Sequence, residues 1–135
     1  HLFFKERWYG FDDGLYSACR LLELLSMQPD NADTVMARYP AGISTPEINL
    51  TVGEERKFEI IRALTEQADW GEGQVTNLDG IRVDFAHSWG LIRASNTTPT
   101  VIFRFEATTE TKLDQIKSLF RDQLLSLQGD LALPF

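Results

Sequence analysis

The chain has a single cysteine, Cys19, and only two histidines among its 135 residues. One cysteine cannot form an internal disulfide, and two isolated histidines do not have the spacing of metal ligands, so no metal site is predicted. Because Cys19 falls within a helical pattern, we expect a buried, reduced thiol and not a nucleophile. His87 stands alone in a predicted turn, where we expect a solvated loop residue.

Long apolar runs and an excess of basic residues are also missing. No apolar run approaches the roughly 20 residues that cross a bilayer, and no basic segment followed by an apolar one opens the chain. We therefore expect a cytoplasmic protein with no membrane partner. The chain carries 13 basic and 20 acidic residues, for a net charge of −7. Nucleic-acid binding depends on many Lys and Arg contacts to phosphates, so no nucleic-acid partner is expected.

Two prolines and a glycine in residues 39–46 indicate a boundary between an N-terminal appendage, residues 1–40, and a self-contained domain, residues 41–135. In the appendage, Asp12 and Asp13 precede a helix that should run to about Met27, with Leu15, Ala18, Leu22 and Leu25 on one face, and residues 30–37 can form a second helix. The two adjacent carboxylates also suggest an acid and base pair, but adjacent residues point apart on a helix, and capping explains them better.

The pattern beyond the boundary predicts an α+β domain. Residues 48–52 alternate as in a strand, and the next helix has Glu54 and Glu55 in its first turn. The apolar stripe of that helix is predicted to comprise Phe58, Ile61, Leu64 and Ala68. Asp79 and Gly80 predict a tight two-residue hairpin, followed by strands at residues 89–94 and 100–107 and a helix over residues 109–127. Two amphipathic helices need a common apolar surface, which predicts a four-stranded antiparallel sheet with both helices on one face.

One turn between predicted strands concentrates the chemistry of anion binding. Arg93 offers a planar fork of donors that matches a phosphate, and short donors follow it at Ser95, Asn96, Thr97 and Thr98. On an acidic protein, this isolated arginine loop suggests capture of one small anion. The same composition also suits an ordinary polar hairpin whose side chains hydrogen-bond to their own backbone, and the residues alone leave both open.

Three segments of the chain resemble the α-D-phosphohexomutases. They are residues 1–14 (HLFFKERWYGFDDG), residues 43–47 (ISTPE) and residues 89–99 (WGLIRASNTTP). Phosphoglucosamine mutases of the same superfamily usually carry glycine where this chain has Asn96, so the resemblance favours the branch that acts on mannose and glucose phosphates.

The resemblance implies a four-domain isomerase that moves a phosphate between C6 and C1 of a hexose. It implies a phosphoserine, Mg²⁺ and glucose 1,6-bisphosphate as intermediate, with glucose or mannose 1- and 6-phosphates as substrates. Residues 1–40 would end the third domain, and residues 41–135 would be the fourth, with the TATA-box-binding-protein-like fold. In that family Arg93, Ser95, Asn96 and Thr97 would hold the substrate phosphate, with Thr98 as a secondary candidate. His1 would contact the sugar or assist proton transfer.

The phosphoserine loop and the aspartate-rich magnesium loop of that family have no counterpart in these residues. The resemblance therefore implies that this chain binds phosphosugar but does not catalyse alone, and that domains one to three of a parent chain are its partners, in a monomeric enzyme. The residues by themselves leave a second hypothesis open, an independent anion-binding or protein-interaction module.

Overall fold

A computed structural model describes residues 1–39 and 42–135 of the chain. The chain divides into two compact units, His1–Pro40 and Ala41–Phe135, at the position where the two-proline stretch predicted a boundary. The boundary residues 40 and 41 themselves lie outside the described residues. That the first unit ends a larger preceding domain stays a prediction.

The first unit contains two capped helices, α1 (Gly14–Ser26) and α2 (Ala32–Met36). Asp13 caps α1, because its Oδ1 accepts a hydrogen bond from the Tyr16 backbone N–H at 2.9 Å. Asp12 does not cap, since its carboxylate contacts Nδ1 of His1 instead. The predicted capping is therefore correct for one of the two aspartates.

The apolar residues predicted on one face of α1 are not buried. No residue of α1 is buried, and Leu15 and Leu22 are 78% and 65% exposed. Cys19 is exposed as well, contrary to the buried thiol that we expected. Helical spacing identifies an apolar face but not what covers it, and a unit of this length cannot build a large core.

The described residues of the second unit, 42–135, contain six strands and two helices. In chain order these are β1 (Ile43–Ser44), β2 (Ile48–Thr51), α3 (Glu54–Gln67), β3 (Gln74–Thr76), β4 (Ile81–Phe85), β5 (Ser88–Ala94), β6 (Thr100–Ala107) and α4 (Glu110–Leu127). The strands form one antiparallel sheet in the order β1, β6, β5, β4, β3, and β2 also pairs with β6. The α+β class and the antiparallel sheet are confirmed. The predicted count of four strands is too low, since the sheet has six. One of the two additional strands is β1, whose two residues are too few to show an alternating pattern.

One face of this sheet packs against both helices. Register places Ile81, Ile92 and Phe103 side by side on β4, β5 and β6, and all three are fully buried. The helices contribute the facing residues Ile60, Leu64, Leu113, Ile116, Phe120 and Leu124 to the same core. Both helices therefore cover the same face, as predicted, and the opposite face carries the charged residues of β4, β5 and β6.

The apolar stripe predicted for α3 is partly wrong. Its buried residues are Lys57, Ile60 and Leu64, whereas Phe58 is 56% exposed. Ile61 and Ala68 are only partly buried against the core. The predicted stripe omits position 57, because lysine is not an apolar residue. In the fold, however, the ammonium group of Lys57 is buried.

The turn between β3 and β4 is longer than the predicted two residues, because residues 77–80 separate the strands and Thr76 pairs with Arg82. Gly80 adopts a φ of +81°, and a Cβ at this position would lie 2.2 Å from the Ile92 carbonyl oxygen. Only glycine fits this close approach to β5. The turn thereby brings Asp79 beside Arg93.

None of the helices in residues 1–39 and 42–135 combines the length and the apolar character that a membrane span needs.

Candidate anion-binding site

The anion loop, residues 95–99, connects β5 to β6 and is organised around the Ser95 side chain. The Ser95 backbone N–H donates to the Thr100 carbonyl at 2.9 Å, which closes the base of the loop. Ser95 is only 5% exposed. Its Oγ accepts hydrogen bonds from the Thr97 and Thr98 backbone N–H groups at 3.3 and 3.2 Å, and from the Thr98 hydroxyl at 2.8 Å. The serine therefore holds the loop in shape from within.

The tip of the loop presents its remaining donors to a cleft of about 480 Å³. Asn96, Thr97 and Thr98 are all exposed. The Asn96 backbone N–H donates to no acceptor in residues 1–39 or 42–135. The Thr98 hydroxyl is shared with Ser95 and with Thr100, to which it lies at 2.7 Å. Asn96 and Thr97 thus keep the donors that are freest to meet a ligand.

Arg93 enters this cleft from the sheet face opposite the helices. It lies near the end of β5 and pairs with Ile102, which in turn pairs with Asn49 of β2. Its Nη1 lies 3.3 Å from Oδ2 of Asp79, and the side chain is 34% exposed. A guanidinium has five N–H donors, so this single contact leaves others for an anion.

Two lining residues of the cleft, Glu47 and Asn49, were missed as site residues. Both line it together with Arg93, Ile102 and residues of the loop. The Asn49 side-chain amide donates to Oε1 of Glu47 at 3.2 Å. Glu47 belongs to the segment that resembles the phosphohexomutases, but only the pairing of β2 with β6 places it near the loop. Its carboxylate lowers the positive potential that Arg93 creates in the cleft.

Lys57 on α3 is the third residue that sequence reasoning missed. Its Nζ donates to the carbonyl oxygens of Ser95 at 2.7 Å and Thr98 at 3.1 Å, and lies 2.6 Å from Oε1 of Glu54. The side chain is 1% exposed. An ammonium has three N–H donors, so each of them has an oxygen partner. One feature of the sequence did indicate its burial. Lys57 lies three residues before Ile60 and seven before Leu64, which places all three on one helical face.

A second anchor ties the end of the loop to the start of α3. The Pro99 carbonyl oxygen accepts hydrogen bonds from the Val52 and Gly53 backbone N–H groups at 3.0 and 3.1 Å. Together with Lys57, this contact fixes the loop from the side away from the cleft. Ser95 does provide the internal hydrogen bonds that are expected of an ordinary polar hairpin. The loop also accepts hydrogen bonds from residues outside it, which such a hairpin does not need.

The two histidines belong to other segments of the chain. His87 is exposed in the turn between β4 and β5, as predicted. His1 belongs to the first unit, where its ring is 81% exposed and contacts Asp12. The role of His1 toward a sugar stays a prediction.

Comparison with known proteins decides the family. Residues 47–123, more than half of the chain, match the model described as the C-terminal domain of phosphoglucomutase/phosphomannomutase. The chain belongs to this family. The matched region contains both the anion loop and Lys57, so the family resemblance proposed from residues 89–99 is confirmed.

Individual relatives agree with this membership. A phosphomannomutase/phosphoglucomutase of Pseudomonas aeruginosa is 57% identical over the whole chain, and a phosphoglucomutase of Neisseria gonorrhoeae is 46% identical over 90% of it. The crystal structure of a phosphoglucomutase/phosphomannomutase family protein from Burkholderia thailandensis superimposes with a TM-score of 0.86, at 40% identity over the whole chain. The chain spans 29% and 26% of the two relatives and 28% of the crystallised chain.

Proposed function

We propose that this chain is the C-terminal part of a phosphohexomutase and that its anion loop binds the substrate phosphate that is not being transferred. The observation that carries the proposal is the convergence of Arg93 with the loop donors on one cleft, on a loop that is anchored from behind. A phosphate group offers several charged oxygens, which suit a planar guanidinium fork together with short polar donors.

The donors divide the work in the proposed complex. Arg93 makes a two-pronged contact to the phosphate, and Asn96 and Thr97 add donors from the tip. Three donors within the loop share the two lone pairs of the Ser95 Oγ, and its own O–H remains free to donate to a phosphate oxygen. The Thr98 hydroxyl is engaged with Ser95 and Thr100, which keeps it a secondary candidate.

The parent enzyme that we propose interconverts hexose 6-phosphate and hexose 1-phosphate through glucose 1,6-bisphosphate, on glucose and mannose substrates. Within residues 1–39 and 42–135, no group of three or more His, Cys, Asp or Glu side chains is placed to hold a metal ion. We assign no step here to Mg²⁺. The phosphoserine and the magnesium site of the parent would lie in its other domains, so this chain would bind but not catalyse.

Binding is tested by titrating the ¹⁵N-labelled chain with glucose 1-phosphate and following the amides of residues 95–98 by NMR. We expect these amides to move at millimolar ligand, with weak affinity, because a small ligand held from one side buries little surface. Glucose without phosphate is the matched ligand control and should leave them unchanged. Amides that do not move with glucose 1-phosphate would refute the proposed function.

Arg93→Lys tests the contribution of the guanidinium fork. Lysine keeps the charge but loses the two-pronged geometry, so glucose 1-phosphate should bind about tenfold more weakly. The free energy of unfolding should change little, since the exposed pair with Asp79 contributes at most about 1 kcal/mol. Arg104→Lys, on the neighbouring strand and the same face, is the control and should bind as the wild type does. Equal affinity of Arg93→Lys and the wild type would contradict the predicted fork.

The absence of catalysis by the chain alone is tested directly. We expect no conversion of glucose 1-phosphate to glucose 6-phosphate when Mg²⁺ and glucose 1,6-bisphosphate are added to this chain. An independent anion-binding module would give the same result, but it would not restore activity to a parent enzyme from which the corresponding residues have been removed. Restored activity on adding this chain would favour the phosphohexomutase proposal over the module.

A further inference from the structure

A fully buried lysine is unusual, and Lys57 is directed at the loop that we propose to bind phosphate. Burying an ammonium is unfavourable unless its N–H groups find partners. Two of the three partners are backbone carbonyls of the anion loop, and the third is the Glu54 carboxylate in the preceding turn of α3. The side chain therefore connects the core helix to the back of the loop.

The Ser95 contact determines the direction of a neighbouring backbone donor. In a trans peptide unit the carbonyl oxygen and the amide hydrogen point to opposite sides. The described residues contain no cis peptide bond. Because the Ser95 carbonyl points inward to Lys57, the Asn96 N–H of the same peptide unit points away from the helix. That N–H donates to no acceptor in the described part of the chain.

The second carbonyl contact of Lys57 does not orient another backbone N–H toward the cleft. The Thr98 carbonyl also points inward to Lys57, and the next residue is Pro99, which has no N–H. Of the two peptide units that Lys57 orients, only the one between Ser95 and Asn96 presents a donor on the opposite side.

We propose that Lys57 is the positioning residue of the anion loop, which turns the Asn96 N–H toward the cleft so that it donates to a phosphate oxygen. This inference rests on the proposed function, because it assigns how the same loop is made ready for its ligand. The ammonium also places a positive charge behind the loop, partly offset by Glu54, so that the oriented donor and the charge both favour an anion.

The test uses Lys57→Met, which keeps the length and packing of the side chain but removes all three donors. Inorganic phosphate is titrated into the ¹³C,¹⁵N-labelled 135-residue chain and followed through the amides of residues 95–98. We expect the amides of the sheet to stay at their wild-type positions and the affinity for phosphate to fall about tenfold. Ile60→Val on the same helix is the matched control, since it lowers stability without touching the loop, and it should bind phosphate as the wild type does.

Two results of this titration would overturn the proposal. One is a wild-type affinity for phosphate in Lys57→Met. The other is an equal loss of affinity in Ile60→Val, because general destabilisation would then explain both.

A measurement on the wild-type chain keeps the proposal falsifiable if Lys57→Met does not fold. The ammonium ¹⁵N signal of Lys57 should move during the phosphate titration with the same midpoint as the Asn96 amide. An ammonium signal that stays in place while the Asn96 amide titrates would overturn the positioning role.

Failure of the proposed function gives a different result. If no wild-type loop amide responds to phosphate, the loop is not a phosphate site. The role of Lys57 is then decided without ligand, by the Ser95 carbonyl ¹³C signal and the Asn96 amide signal. Both should differ between wild type and Lys57→Met if Lys57 orients this peptide unit, and unchanged signals would overturn that role as well.

Discussion

At the scale of single residues, the cleft combines groups of opposite charge, which in the proposed complex would favour different parts of a phosphosugar. Arg93 and Glu47 line the same cleft, and Asn49 hydrogen-bonds to Glu47. A phosphate is attracted by the first and repelled by the second, whereas sugar hydroxyls can donate to a carboxylate. If the cleft binds phosphate as proposed, we expect Glu47 to limit how tightly a bare phosphate binds.

Glu47→Gln should strengthen binding of inorganic phosphate several-fold, because it removes a negative charge from the cleft but keeps the shape of the side chain. Phosphate titrations at low and high salt would measure this, and the gain should shrink as salt screens the charge. Glu106→Gln serves as the control, since Glu106 lies four residues beyond Ile102 on β6 and should have little effect. Unchanged or weaker phosphate binding in Glu47→Gln would show that its charge does not act on the site.

At the scale of secondary-structure elements, α4 packs closely on β5, the strand that leads into the loop. Gly90 of β5 lies directly beneath Phe120 of α4, and a Cβ there would come within 2.4 Å of the phenyl ring. The same strand carries Arg93 and ends at the loop. Close packing of α4 on β5 therefore supports the strand from which the site extends.

Gly90→Ala should lower the free energy of unfolding by about 1–3 kcal/mol, because the added methyl forces the Phe120 ring and its helix to shift. Chemical denaturation of the second unit measures this change. Gly129→Ala is a suitable control, since its Cβ would meet only the Leu125 carbonyl oxygen at an ordinary 3.5 Å. Equal free energies of unfolding for Gly90→Ala and the wild type would contradict this prediction, because the core around Phe120 would then accommodate the methyl group without losing stability.

At the scale of the whole molecule, the two units differ in how much core each one has. The helix α1 has no buried residue, whereas α4 buries Leu113, Ile116, Phe120 and Leu124. The end of the chain adds to the second core, because Phe135 packs against Phe103 and Phe105 with ring centroids 4.9 and 5.0 Å apart. The second unit therefore buries apolar side chains in a core of its own, which favours its stability.

Native-state hydrogen exchange should show stronger protection of amides in α4 and the central strands than in α1. Few buried contacts allow local opening at low free energy, while amides of a packed core exchange only through larger openings. The comparison is internal to one sample, so it needs no variant. Similar protection in α1 and α4 would contradict the difference between the two units.

Part of this protein was predictable from local patterns in its sequence. Asp13 as a helix cap, the alternating strands around the anion loop and the donors from Arg93 to Thr98 all follow from neighbouring residues. Local hydrogen bonding and the periodicity of a strand or helix depend on residues a few positions apart, which any stretch of sequence displays. The α+β class followed from the order of these elements.

Only the tertiary structure determined which distant residues contact each face of a helix or strand. From the sequence alone, Lys57 would be assigned to the surface. In the fold, residues 38 and 41 positions further along the chain supply carbonyl partners for its ammonium group. Glu47 and Asn49 join the cleft through the pairing of β2 with β6, and Cys19 is exposed although it lies within a helix. Burial depends on which distant elements pack together, and that long-range information is not contained in the spacing of neighbouring residues.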